Sequence, residues 1–175
     1  MQLKSLFFFA SIISIALATT NLQDLLDDIS KIGPKVIALH NIITSFQTER
    51  RITDLYAIHS QVNEVIDMVE KSIETAKGLD GRVETETAQD ILDSFRELVP
   101  LVQAACKAIN VQDILISVGQ QGVAVAKLDV LYMKQTILEL EDVAFSRVPL
   151  DCIEEARGLG DEIKAALDVA VVAFD

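Results

Sequence analysis

Tryptophan is absent from this chain, and aromatic residues of every kind fill only 5% of its 175 positions. A core without large rings must be assembled from Leu, Ile, Val and Ala, which pack well but leave the interior plastic. Basic residues are also scarce, 15 Lys and Arg against 27 Asp and Glu, for a net charge of -12. Such a chain repels polyanions, which argues against nucleic acid and anionic membrane surfaces as partners. With three prolines, seven glycines and 50% hydrophobic residues, the composition fits one domain with a real core rather than a disordered or repeat protein.

The motifs of catalysis are missing as well. A di-iron bundle needs Glu-x-x-His pairs on two helices, but Ile37 precedes His40 and Tyr56 precedes His59. There is no Gly-x-Ser-x-Gly elbow, no Gly-Lys-Ser/Thr phosphate loop and no His-Glu-x-x-His, and Gly119 and Gly122 are too few to cradle a phosphate. No catalytic residue, metal or cofactor is therefore expected. Asn-x-Ser/Thr sequons are absent at Asn21, Asn41, Asn63 and Asn110, so no N-glycan is expected.

What is present begins with a leader. Lys4 precedes an apolar run over residues 6–17 that ends Ala16-Leu17-Ala18. The run is too short for a membrane span, which takes about 20 apolar residues, and its small-x-small ending suits signal peptidase. Residues 1–18 are thus expected to be a secretory signal peptide, and 19–175 a single secreted helical domain. The tail from Val169 to Asp175 lacks the polar spacer and long apolar segment of a GPI signal. A freely secreted form without a transmembrane segment is the expectation.

Five amphipathic helices follow, each with apolar residues three and four apart. The clearest is the last, residues 149–174, with Ile153, Ala156, Gly160, Ile163, Leu167, Ala170 and Phe174 on one stripe. Val148-Pro149 separates it from the helix before, and Asp151 places negative charge near its start. The first, residues 21–46, keeps its stripe from Leu22 to Phe46 across Gly33-Pro34, so a kink is expected there rather than a break. The second, residues 51–77, includes His59 as the one polar member of its stripe. After the acidic loop 78–86, a cap-like Thr87-x-x-Asp90 is expected to open the third, which runs through Pro100 to Ile109. Asn110 to Asp113 either recaps a new helix or lets the third continue to Val118.

The fourth helix, from Gly119 or Gly122 to Arg147, carries two apolar rows. One is Val123, Ala126, Val130, Met133, Ile137, Leu140 and Ala144. The other is Ala124, Leu128, Leu131, Leu138 and Phe145, about 100° round the axis. Either this helix is central, or part of its face meets something other than the protein core. The fold class is all-α, a five-helix up-down bundle.

With its leader, Pro100 inside the third helix, Val148-Pro149 before the fifth and a final LDVAVVAF, the mature chain resembles the fungal hydrophobic surface-binding protein A family. That family includes the ligand-binding domains of cell-wall galactomannoproteins. The resemblance implies a secreted, non-catalytic bundle that adsorbs to hydrophobic surfaces or holds a long-chain fatty acid, and that in some members helps recruit a secreted polyester-degrading hydrolase. The absence of a Ser/Thr-rich stalk points away from wall anchoring and toward a soluble or loosely wall-associated form.

The binding site is expected where Leu128, Leu131, Leu138 and Phe145 of the second row face Val36, Leu39, Val62, Ile66, Leu98 and Val102, meeting an acyl chain or a hydrophobic surface. His59 reads either as a donor to a lipid carboxylate or as a core-edge histidine bonded to a carbonyl or water, and the second is preferred. Tyr132 reads either as a hydroxyl inside a cavity or as a snorkelled surface tyrosine, the latter preferred. His40 is expected to be half-exposed. Cys106 and Cys152 invite a disulfide by compartment, but up-down topology separates them by about 27 Å along the third helix, far beyond bridging distance. Two separate buried thiols are expected. The competing function is a secreted inhibitor or effector that docks a basic partner on its acidic surface.

Overall fold

The computed structural model describes residues 3–49 and 51–174, with side chains from residue 22 onward except 50, 112 and 145. It is an all-α bundle: α1 (Leu3–Glu49), α2 (Ile52–Lys77), α3 (Thr85–Lys107), α4 (Val111–Arg147) and α5 (Ile153–Val172), the last preceded by a 3-10 turn (Leu150–Cys152). α1 extends back through the apolar N-terminal run, whose side chains, with the expected cleavage site after Ala18, lie outside the residues described at side-chain level.

Both internal prolines are carried within helices. The α1 stripe stays buried from Leu25 through Ile32 and Val36 to Phe46, on either side of Pro34. In α3 the same holds for Leu98, Val99 and Ala105 around Pro100. The ring of each proline removes one helical hydrogen bond, which burial of an uninterrupted stripe outweighs. α3 begins two residues before the expected Thr87 cap, after Glu84, with no side-chain capping bond.

The open question at Asn110 resolves as a recapped helix. α3 stops at Lys107, and α4 starts at Val111 and is broken at Gly119, whose φ of 69° and ψ of -167° suit glycine. The break brings the preceding turn so close that a Cβ on Gly122 would sit 1.9 Å from Val118 Cγ2. Two glycines three apart therefore set the angle between a short arm, residues 111–118, and the long arm, residues 120–147.

Interhelical contacts give the arrangement. α1 packs on α2, α2 on α4, α4 on α5, α5 on α3 and α3 back on α1. The five helices thus form a closed ring in the order α1–α2–α4–α5–α3. Direction alternates along the chain as expected of an up-down bundle. Asp28 meets Lys71 and Lys35 meets Glu64, so α1 and α2 are antiparallel, whereas Glu70 with Tyr132 and Lys77 with Glu139 make α2 and α4 parallel.

At the end near the α2–α3 loop the interior is solid, with Leu25, Ile29, Ile73, Ala76, Leu79, Ile91 and Leu140 in one buried cluster. Arg147 closes that end by donating to the carbonyls of Lys77 and Gly81, while Val83 N–H donates to the Arg147 carbonyl across 2.9 Å. Toward the opposite end the core divides. Leu39, Ile43, Val62 and Ile66 form a wall between α1 and α2, and Val99, Cys106, Ile163, Leu167 and Ala170 form another between α3 and α5. Cys152 lies in a third cluster with Ala88, Leu92 and Val148, and both cysteines are free and buried.

Candidate functional site

Between the two walls is a cavity of about 550 Å³ lined by all five helices. That size falls within the range of about 300–1,000 Å³ typical of small-molecule sites. Its origin is geometric: five helices in a ring leave a wider centre than four, and a core of Val, Ile, Leu and Ala has no large ring to fill it. Of the seven phenylalanines, the described ones that reach the lining are Phe46, Phe95 and Phe174. On α4 the lining runs from Ile114 on the short arm to Leu140, and along the long arm, from Gln121 to Leu140, it spans about 29 Å at 1.5 Å per residue.

The deep end, around Val69, Phe95, Leu98 and Leu140, is entirely apolar. The other end opens between the start of α2 and the short arm of α4, where the lining residues Ile52, Tyr56 and Val125 are exposed. Here the polar lining residues gather: Gln47, His59, Asn110, Gln121 and Asp129. Gln47 donates its amide N–H to the Ala108 carbonyl and so fastens α1 to the end of α3. His59 Nδ1 lies 2.8 Å from Asp129 Oδ2, bridging α2 and α4, and its Nε2 lies 3.3 Å from Asn63 Nδ2. Burial pushes the Asp129 carboxyl above the usual carboxylate range, even though the hydrogen bond and charge of His59 draw it back.

Among the residues expected at the site, Val36, Leu39, His59, Val62, Leu98 and Val102 line the cavity. Ile66 is buried in the α1–α2 wall outside the lining, and Leu138 is half-buried, also outside it. Leu128 is 65% exposed and Leu131 is 39% exposed on the outer surface of α4. The side chain of Phe145 lies outside the described residues. The row of α4 that faces the α1, α2 and α3 residues is therefore the first one, Ala126, Val130, Met133, Ile137 and Leu140. Ring packing explains the rotation. α4 touches only α2 and α5 as its main neighbours, so its seam points at the hollow centre and the second row turns outward.

Tyr132 is exposed and donates its hydroxyl to Glu70 Oε1 at 2.7 Å, a surface link between α4 and α2. His40 is half-buried, outside the lining. Among the described residues no group of three His, Cys, Asp or Glu side chains converges as a metal site. Sequence reasoning missed Asp129, Gln121 and Met133. Asp129 carried a usable signal, being the one acid on an otherwise apolar stripe with Gly122, Ala126 and Met133.

Residues 113–144 of α4 are long and apolar enough to cross a membrane by length and composition, and only 6% of the window is buried. Low burial in so apolar a helix follows from its position, one row lining an open cavity and the other facing solvent.

Among solved structures the chain is similar to AFMP4P in complex with palmitic acid, with a TM-score of 0.80 at 13% identity, covering 88% of this chain and 99% of that one. Ligand-binding domain 1 of the Penicillium marneffei MP1 protein, complexed with arachidonic acids, gives a TM-score of 0.75 at 15% identity, covering 90% of this chain and 99% of that one. Domain 2 of the same protein, complexed with multiple arachidonic acids, gives 0.69 at 15% identity over 89% of this chain and 95% of that one. At such identities these likenesses speak to the fold. No curated protein matches the chain in sequence. The family model for hydrophobic surface binding protein A matches residues 22–139, well over half the chain, and the chain belongs to that family.

Proposed function

We propose that this protein is a secreted, non-catalytic binder of long acyl chains and hydrophobic surfaces. The observation that carries the reading is the apolar cavity of about 550 Å³, open at one end and lined by all five helices. Structures similar to this chain are complexed with palmitic and arachidonic acids, and the lining here suits such chains: many aliphatic side chains and a few polar groups at the mouth. Each methylene transferred from water contributes about 0.8 kcal/mol. A sixteen-carbon chain therefore gains on the order of 10 kcal/mol, enough for roughly micromolar affinity after the cost of association.

The exposed Leu128 and Leu131 supply a second, outer apolar surface, suited to adsorption on a hydrophobic material. Binding inside and adsorption outside are then separate properties of the two faces of α4. A protein with both is suited to work outside the cell, free or loosely associated with the wall, after removal of residues 1–18. Helping recruit a secreted hydrolase to a hydrophobic substrate, as the resemblance implies for some members of the family, is a role that the outer face would serve.

The test is displacement of a fluorescent acyl probe by palmitate. Ala105 lines the cavity and is itself buried, so Ala105→Phe places a ring in the hollow. Loss of probe binding at least tenfold, with an unchanged helical circular dichroism spectrum, is expected. Undiminished binding in a folded Ala105→Phe variant would place the acyl chain elsewhere.

A further inference from the structure

Among the described residues the lining of the cavity contains no Lys and no Arg. Its ionisable members near the mouth are Asp129, His59 and the Tyr56 phenol, and Asp129 and His59 already face each other at 2.8 Å. We propose, on the basis of the acyl-binding reading above, that the mouth selects lipids with an uncharged, hydrogen-bonding head, such as fatty alcohols and monoacylglycerols, over ionised fatty acids.

The chemistry follows from donor and acceptor types. An ionised Asp129 only accepts hydrogen bonds, so it receives a hydroxyl head group and repels a carboxylate placed beside it. The Gln121 amide both donates and accepts and sits exposed at the same mouth, where it can serve the ester carbonyl of a monoacylglycerol. Among the described residues no Lys or Arg lines the mouth to compensate a bound carboxylate. Arg51, at the start of α2, is outside the lining and is paired with both Glu49 and Asp54. Lys127 lies two residues before Asp129 on α4, also outside the lining, and Lys107 closes α3 outside it. Among the described residues the charged group that acts on Asp129 is His59 of α2. The contributions of α1, α3 and α5 to the lining are apolar or amide side chains, apart from the Cys106 thiol.

Selectivity is therefore expected to depend on pH. Burial raises the Asp129 carboxyl above the usual range, so it takes up a proton earlier than an exposed aspartate as pH falls. The repulsion of a carboxylate head then fades, while a hydroxyl head is bound at either pH.

The experiment is competition of dodecan-1-ol, monolaurin and sodium laurate against a neutral fluorescent acyl probe, at pH 8 and pH 5. At pH 8 the alcohol and monoester are expected to bind at least tenfold more tightly than laurate, with the gap narrowing at pH 5. Asp129→Asn should tighten laurate binding several-fold at pH 8 and, because an amide oxygen is a weaker acceptor than a carboxylate, loosen the alcohol, so that the ratio of the two affinities falls. Gln121→Lys, an exposed substitution that does not touch the core, should likewise tighten laurate by supplying a cation at the mouth, lowering the same ratio. Laurate binding as tightly as dodecan-1-ol at pH 8, or insensitive to both variants, would overturn the head-group assignment while leaving the acyl-binding reading standing. Failure of all three to displace the probe at either pH would overturn that reading and the assignment with it.

Discussion

Lys71 on α2 donates to Asp28 on α1 across 2.7 Å, and Asp28 is only 2% exposed. Thr75 donates to the other carboxylate oxygen at 3.3 Å, and Lys31 lies 3.4 Å from the first. Burial alone would push the Asp28 carboxyl up, but the hydrogen bonds and charges of Lys71 and Lys31 outweigh it and hold the group below its ordinary 3.8. A carboxylate with a lowered value contributes stability that is fully present above the unfolded value and is lost as pH falls through the folded one. Asp28→Asn should therefore destabilise the bundle by about 2 kcal/mol at pH 7 and flatten the acid limb of its stability below about pH 4. Urea denaturation across pH 2–7 would show both, and an unchanged acid limb would remove Asp28 from the account.

The break in α4 makes a paired prediction. Gly119→Ala should cost roughly 1–3 kcal/mol, because a φ of 69° with a ψ of -167° is a backbone region that essentially only glycine adopts. Gly122→Ala should cost more, because its methyl would meet Val118 Cγ2 at 1.9 Å. Val118→Ala should partly rescue Gly122→Ala, and a double-mutant cycle in which the two effects simply add would show that the contact is not the cause.

Much of the fold was legible because each helix carries its own stripe. The stripes of α1, α3 and α5 are buried almost as written, from Leu25 to Phe46, Ala88 to Ala105 and Ala156 to Ala170. The stripe identifies the inward face of a helix but not its neighbours, so the ring order, and with it the hollow centre, could not be read. That is why the second row of α4 was matched to the α1–α3 residues that Val130, Met133 and Ile137 in fact face. The start of α2 misled in a similar way. Ile52 belongs to the stripe yet is 54% exposed, because it stands at the mouth. His59 meets neither a carbonyl nor a lipid but the Asp129 carboxylate of α4, a partner that no helical stripe on α2 could reveal.

The cysteines yield a chemical prediction. Burial pushes the Cys106 thiol up to about 11, so roughly a thousandth is thiolate at pH 8. Ellman's reagent should react slowly with the native protein and with two thiols per chain once unfolded. Recovery of a 106-to-152 bridge in non-reducing peptide maps would contradict the placement of the two thiols in separate clusters.

The two faces of α4 should separate by mutation. Leu128→Asn with Leu131→Asn is expected to reduce retention on a hydrophobic resin several-fold while leaving acyl-probe affinity within about twofold, since each outer Leu loses up to about 1.5–3 kcal/mol of apolar contact with the surface. A parallel fall in both properties would mean that one face serves both.

The claim on which the account rests is that an acyl chain lies inside the ring, and methyl NMR with a ¹³C-labelled palmitate, or the matching labelled alcohol, measures this directly. Intermolecular NOEs should connect the chain to methyls of Leu98, Met133 and Ile137 and be absent to Leu128 and Leu131. NOEs to Leu128 and Leu131, with none to the inner three, would contradict it.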